Sequence, residues 1–289
     1  SLIEHVAGRV AAIRGGRVTC GIQTNAARLD DEIIAMFTRR NVRVGVSVDG
    51  PPQVQERARG SAAPTFRGLL ALARADIPVR VTTVLSALNI DHLDELAVTL
   101  GGLPNVTGFG LDPLVGIGSA AGRGDLVPSD DAVVGGITAL YRRLTQVNAM
   151  RARPLVWREL ETVRAAIHRS PANTPTTVDP SGRTLLPLSV SNRPYCHAAV
   201  GESMAVAPDG SVYPCSQSVG DPASRAGTVH DVDWDRLKHR FSQDVHTLRG
   251  PCHRCALAGR CPGDCPSRVE ANNLADPEQA RTPLTCLID

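Results

Sequence analysis

The sequence predicts an α/β chain whose strands run parallel, followed by a loop-rich, cysteine-dense C-terminal region. Three observations carry this. Strand-type and helix-type runs alternate four times between residues 18 and 111. Successive strand starts lie 24, 37 and 27 residues apart, the span of a strand, a crossover helix and the return to a parallel neighbour. Seven of the eight cysteines fall between Cys196 and Cys286.

The first strand-type run, Val18 to Thr24, is short and β-rich and ends at Asn25-Ala26. Asp30 has the chemistry of an N-cap for a helix over 31–40, where Ile33, Ile34 and Phe37 keep helical spacing. Residues 42–48 alternate in strand fashion and stop at Asp49-Gly50-Pro51-Pro52, a strong breaker. Helix follows over 65–75, strand over 79–85, helix over 92–100 and strand over 106–111. From Asp130 to about Arg169 the pattern is helical, with Ile137, Leu140, Tyr141 and Leu144 on one stripe. Residues 171–187 read as a linker, and 203–213 as a β-hairpin turning at Pro208-Asp209-Gly210.

Four strand–helix units imply either a (β/α) barrel or an open doubly wound sheet. In both, ligands sit at the carboxyl ends of the strands. Gln23-Thr24-Asn25, Ser47-Val48-Asp49 and Asp112 supply polar groups there.

Charge excludes some partners. Thirty-one basic residues oppose 29 acidic ones, so no global field draws nucleic acid or anionic lipid. Four Phe, three Tyr and two Trp are too few for a base-stacking platform. No apolar run approaches the ~20 residues that span a bilayer. The first residues resemble no signal peptide.

The late cysteines keep an ordered spacing: Cys196-x13-Gly210-x4-Cys215, then Cys252-x2-Cys255-x5-Cys261-x3-Cys265, then Cys286. Disulfides would leave one of seven unpaired. Structural zinc takes four thiolates, and Cys252-x2-Cys255 suits it. Cubane iron–sulfur clusters also take four. Seven divides as four plus three, and a three-thiolate set would leave one iron open, which structural zinc does not do. Cys261-Pro262 and Cys265-Pro266 are similar to the Cys-Pro steps of ferredoxin loops.

This spacing resembles the seven-cysteine signature of the SPASM domain, the C-terminal extension of a group of radical S-adenosylmethionine (SAM) enzymes. The resemblance extends upstream. Gln23-Thr24-Asn25 resembles the QTNG strand end of that group, residues 45–51 resemble its GVSLDGP strand end, and Arg59 lies where the arginine of its HDxxR segment belongs. Residues 81–89, VTTVLSALN, are similar to the next strand and its exit loop.

The resemblance implies an α/β fold: a partial (β/α)6 radical SAM barrel over 1–150, lacking its first strand or strands, a helical and loop bridge over 151–192, and a SPASM domain over 193–289. It implies that Cys196, Cys215 and Cys265 hold a first auxiliary [4Fe-4S] cluster. Cys252, Cys255, Cys261 and Cys286 would hold a second. Val190 stands where some members add a fourth ligand to the first cluster, which implies an open iron there. Thr24, Asn25, Ser47 and Asp49 become the groups expected to meet SAM. The implied activity is an enzyme's: hydrogen abstraction by a SAM-derived radical from a ribosomally made precursor peptide or protein. The auxiliary clusters would transfer electrons or bind substrate, and an electron donor such as ferredoxin or flavodoxin would serve them. Reduced thiols and iron–sulfur chemistry point to the cytoplasm.

Some family features are missing. C-x3-C-x2-C, which holds the SAM-cleaving third [4Fe-4S] cluster, and the GGEP segment do not occur in these residues. The chain begins with Ser1, and the expectation is a longer protein whose N-terminal segment carries both. Cys20 is expected to be a buried core cysteine. Ala26 replaces the usual glycine, and Gln55-Glu56 stand where His-Asp is typical. Ser216 follows Cys215 where sulfatase-maturing relatives carry Asp, which argues against that activity. The alternative reading is a non-catalytic iron–sulfur subunit that binds peptide or partner beside a separate radical SAM enzyme.

Overall fold

The computed structural model describes residues 2–13, 18–168, 177–178, 184–185, 196–241 and 265–273. The chain divides into two compact units, one of Ser1–Leu114 with Gly122–Glu161, the other of Val115–Ala121 with Thr162–Cys286. Among the described residues no helix is long and apolar enough to cross a membrane.

The first unit is built on a five-stranded parallel sheet in the order β1-β2-β3-β4-β5, with β1 Gly21–Thr24, β2 Arg43–Ser47, β3 Val79–Leu85, β4 Val106–Pro113 and β5 Val156–Trp157. Its helices are α1 Leu2–Ala11, α2 Asp31–Arg39, α3 Pro52–Arg59, α4 Ala62–Arg74, α5 Leu93–Gly101, α6 Asp130–Met150 and α7 Arg158–His168, the last running on into the second unit. The Asp30 cap is in place, its Oδ1 accepting the Ile33 N–H at 2.8 Å.

Period-two alternation sorts each strand onto two faces. Val44, Val46, Val48, Val79, Val81, Leu85, Phe109, Leu111 and Trp157 are buried on the helix-covered side. The opposite face carries Gln23, Ser47, Thr82 and Asp112 with Gly45, Gly108 and Gly110 between them, because the register sets Gln23 beside Gly45, Ser47 beside Thr82, and Thr82 beside Gly110. The sheet therefore has an apolar face that makes the core and a polar, glycine-lined face that does not.

Three details differ from the sequence expectation. Helix α3 starts at the last residue of the stretch read as a breaker, because Pro52 sits in its first turn, where a missing N–H costs nothing. The helical pattern from Asp130 is interrupted by β5, a two-residue strand too short to leave a periodic signal. On α6 the buried stripe is Val133, Gly136, Leu140, Leu144 and Val147, whereas Tyr141 is exposed. Gly136 sets that stripe: a Cβ there would strike the Ile90 carbonyl.

The second unit contains short two-stranded sheets. β6 Thr177–Val178 pairs with β7 Thr184–Leu185, β8 Ala205–Val206 with β9 Val212–Tyr213, and β10 Gly227–Thr228 with β11 Asp231–Val232, each antiparallel. The 205–213 hairpin turns at Gly210, whose φ of +82° suits a residue without Cβ. Val212, Ala226 and Leu237 form a small core. Its described residues also form helices α8 Trp234–His239 and α9 Pro266–Asn273.

Arg240 binds this unit together. Its Nε donates to Ser224 Oγ at 2.9 Å, its Nη2 to Glu270 Oε1 on α9 at 2.5 Å, and its guanidinium lies over the Phe241 ring. Ser224 Oγ also donates to Asp221 Oδ2 at 2.5 Å. That hydroxyl is the main reason the Asp221 carboxyl lies below the ordinary carboxylate range, with the Ala223 N–H and Arg240 assisting against burial. Because the folded-state value is depressed, this contribution is complete above about pH 4 and is lost as pH falls through the depressed value. Asp221→Asn should flatten that part of the acid dependence. Urea midpoints between about pH 5 and pH 2 that fall equally in both proteins would refute it.

Candidate functional site

The site expected at the carboxyl ends of the strands is organised by Asp49, which lies two residues beyond β2 and is 5% exposed. Arg59 grips its carboxylate with two N–H groups, Nε to Oδ2 at 2.5 Å and Nη2 to Oδ1 at 3.2 Å. Oδ1 also accepts the Val84 N–H of β3 at 2.9 Å. The Asp49 N–H donates to Gln55 Oε1 at 2.7 Å, and the Asp49 carbonyl accepts Asn89 Nδ2 at 2.8 Å. Thr83 Oγ1 donates to the Val48 carbonyl at 2.6 Å. Every hydrogen-bonding group of Asp49 thus points into the protein, so this residue fixes the end of β2 against β3.

Asn89, fully buried, closes the same knot. Its Nδ2 donates to Asp49 O and to Val84 O, both at 2.8 Å, and its Oδ1 accepts the Ser86 N–H at 2.9 Å. Gln55 and Glu56 take definite roles. Gln55 satisfies the Asp49 N–H, and Glu56 Oε2 accepts the Ala62 N–H at 2.7 Å, capping α4 where Ser61 offers no side-chain cap. No local pattern marks these roles: Gln55 reaches back six positions to the Asp49 N–H, and Asn89 reaches back forty to the Asp49 carbonyl.

The expected SAM-facing residues divide. Thr24 and Asn25 close their own turn, Thr24 Oγ1 accepting the Ala26 N–H and Asn25 Oδ1 the Ala27 N–H, each at 3.1 Å. That turn puts Ala26 at φ +58°, a conformation that the glycine usual in the resembled motif adopts without strain. Gly68 of α4 lies against the Ala26 carbonyl, where a Cβ would clash. Ser47 lies on the polar face, its Oγ accepting Gln23 Nε2 at 3.0 Å across β1 and β2. Gly45 makes the crossing possible, since a Cβ there would strike Gln23 Oε1.

Farther along the same face, Arg158 follows β5 and lies over Gly110, where a Cβ would meet the guanidinium. It bonds Asp112 Oδ1 and Glu159 Oε1, each at 2.6 Å, while Glu159 Oε2 accepts the Leu111 N–H at 3.1 Å. Burial works against the Arg158 charge, but Glu159 and Asp112 outweigh it and hold the guanidinium above its ordinary value. Polar hydroxyl, amide and guanidinium groups therefore line one open face, fixed in place by partners. Such a surface can orient a polar ligand.

Of the expected cluster cysteines, Cys252, Cys255, Cys261 and Cys286 lie outside the described residues, as do Val190 and most of the 171–187 linker. Cys196, Cys215 and Cys265 are half-buried. Cys215 and Cys265 meet one short turn, residues 216–218, with Cys215 Sγ 3.6 Å from Ser218 Oγ and Cys265 Sγ 3.5 Å from Gln217 Oε1. Among the described residues no three His, Cys, Asp or Glu side chains converge on a metal position. Cys20, the residue before β1, is half-buried and not sealed in the core as expected. His197 is exposed beside Glu202.

No family model matches the chain. An uncharacterised protein of Archaeoglobus fulgidus is 24% identical over 270 residues, covering 88% of this chain and 57% of that protein. A second, from Methanocaldococcus jannaschii, is 29% identical over 79 residues, 26% of this chain and 28% of its own length. The chain thus spans little more than half of the first relative and little more than a quarter of the second. Among solved structures, anSMEcpe with bound AdoMet superposes with a TM-score of 0.67 at 16% identity, over 89% of this chain and 67% of that one. The same protein with AdoMet and the Kp18Cys peptide gives 0.64. Streptococcus suis SuiB bound to S-adenosylmethionine gives 0.57 at 14% identity, over 93% and 59%. These structures are of radical SAM maturases, and this chain shares their fold.

Proposed function

We propose that this chain, which has the fold of the radical SAM maturases, forms the larger part of an enzyme that modifies a ribosomally made peptide or protein. The observation that carries the reading is the seven-cysteine spacing downstream of a parallel sheet of that fold. Neighbours of this fold with bound AdoMet, and one with bound peptide as well, support SAM and a peptide as ligands here.

In this reading the polar face of the sheet takes up SAM and substrate. Ser47 and the Thr24-Asn25 turn present hydroxyl and amide groups at the ends of β1 and β2, and Asp49 holds the end of β2 against β3. SAM and an iron–sulfur cluster, when bound, supply the radical chemistry. The chain's own part is to orient polar groups, keep water away and ligate metal. The cysteine chemistry fits iron–sulfur clusters. Thiolates suit iron, and Cys215 and Cys265 already border one turn. Cys196, Cys215 and Cys265 would hold the first auxiliary [4Fe-4S] cluster, and Cys252, Cys255, Cys261 and Cys286 the second. The first is proposed to keep an open iron, and a ferredoxin- or flavodoxin-type donor to supply electrons in the cytoplasm.

Anaerobic reconstitution with iron and sulfide counting tests this. About eight irons and as many sulfides per chain are expected for two cubanes. One or two zinc ions without sulfide would sink the reading. A second reading, a cluster-bearing subunit beside a separate radical enzyme, rests on the absence of C-x3-C-x2-C from the 289 residues. The reading frame upstream of Ser1 separates the two, since an in-frame C-x3-C-x2-C supports the enzyme.

A further inference from the structure

Cys215 and Cys265 lie about fifty positions apart in sequence, yet a single turn reaches both sulfurs with adjacent polar side chains. The turn begins at Cys215 itself. The Cys215 N–H donates to Ser218 Oγ at 3.3 Å, and Ser218 Oγ donates back to the Cys215 carbonyl at 2.9 Å. Ser218 is 5% exposed, so this closure is internal. It leaves the Ser218 hydroxyl 3.6 Å from Cys215 Sγ and directs the neighbouring Gln217 carboxamide to Cys265 Sγ at 3.5 Å. Helix α9 begins at the residue after Cys265 and is tied through Glu270 to Arg240, which also bonds Ser224 beyond the same turn. One guanidinium thus joins the helix that follows Cys265 to the chain six residues beyond the turn.

We infer that the turn 216–218 is a hydrogen-bonding shelf for the sulfur ligands of the first auxiliary cluster, with Gln217 its principal donor, to Cys265. The inference rests on the cluster reading above. As a thiol, Cys265 donates to Gln217 Oε1. A metal-bound thiolate has no proton to give, and the carboxamide answers by turning over to present Nε2–H, a rotation that changes no other contact named here. An N–H directed at a ligating sulfur stabilises the more negative, reduced cluster more than the oxidised one, and so raises its reduction potential. Gln217 is thus a positioning residue that acts through Cys265 and sets the poise of this cluster. Ser218 contributes less, because its hydroxyl is shared with the Cys215 backbone.

The test is a redox titration of the reconstituted full chain, followed by electron paramagnetic resonance, for wild type, Gln217→Leu and Gln217→Glu. Gln217→Leu removes the donor and should lower the reduced-to-oxidised ratio of one cluster roughly three- to tenfold at fixed poise. A tenfold change corresponds to about 59 mV for one electron. Gln217→Glu keeps the size, replaces the donor by a carboxylate, and should move the same cluster further in the same direction. The other cluster should not move in either variant. Wild-type potentials in both variants, with iron and sulfide at wild-type level, would overturn the inference and leave the cluster reading intact. Wild-type protein that binds no iron or sulfide would overturn the reading on which it rests.

Discussion

Asn89→Ala should lower the stability of the first unit by about 3–5 kcal/mol, seen as a thermal midpoint roughly 10 °C below wild type by circular dichroism. The side chain is fully buried, and its amide satisfies two carbonyls and one N–H on three different segments. Truncation strands all three where water has little access, and each stranded group costs about 1–3 kcal/mol. Asn89→Asp distinguishes this from a simple loss of volume. It retains an acceptor for the Ser86 N–H, loses both donors, and places a carboxylate against the Asp49 and Val84 carbonyls. It should therefore be no more stable than the alanine variant. A loss below about 1 kcal/mol in both would show that the strand ends are held by packing alone.

The second large effect is expected at Arg151. Its Nη1 donates to the carbonyls of Gly101 at 2.5 Å and Leu103 at 3.1 Å, with Leu100 at 3.4 Å, while Nη2 donates to Val106 at 2.8 Å and Nε to Arg153 O at 3.0 Å. The guanidinium thus caps the C-terminus of α5, where cations are favoured, and ties that end to the start of β4. Burial pushes its pKa down, yet an arginine stays charged throughout the range in which proteins fold. Arg151→Ala should cost about 2–4 kcal/mol in chemical denaturation, less than the summed bonds because water reaches part of the site. Arg151→Lys should recover under half of the loss, since an ammonium cannot span carbonyls fanned across a planar fork. A lysine variant as stable as wild type would mean that charge alone matters.

These two residues mark the limit of what the sequence disclosed. The strand–helix order, the Asp30 cap, β3 and the hairpin at Gly210 were legible because they are local: period, cap chemistry and turn residues act within a few positions. The polar strand ends were legible as a set. Their division was not, because whether Asp49 faces a ligand or Arg59 depends on a residue ten positions away in a helix that the sequence reading lacked. Nothing local marks Arg151, since the carbonyls it grips lie 45 to 51 positions upstream. Gln55 and Glu56 looked like departures from a familiar motif, whereas one satisfies a strand end and the other caps a helix. The cysteine pattern was the clearest signal in the sequence. Its spacing underlies the proposed cluster sites, while Gln217, which meets one of those sulfurs, belongs to no pattern at all.

The Arg151 clamp also bears on the order in which the chain is made. A ribosome releases α5 and the start of β4 well before it adds residue 151, so during synthesis the last turn of α5 emerges with its carbonyls open to solvent. Those groups gain their cap only after the whole of α6 has followed and folded back. The nascent first unit therefore has a waiting period of about fifty residues in which a nearly complete sheet lacks its closing contact, the interval in which exposed strands are most open to wrong partners. Completion of α6 ends that interval. The arginine just beyond it latches α5 to β4 before β5 is added to the sheet.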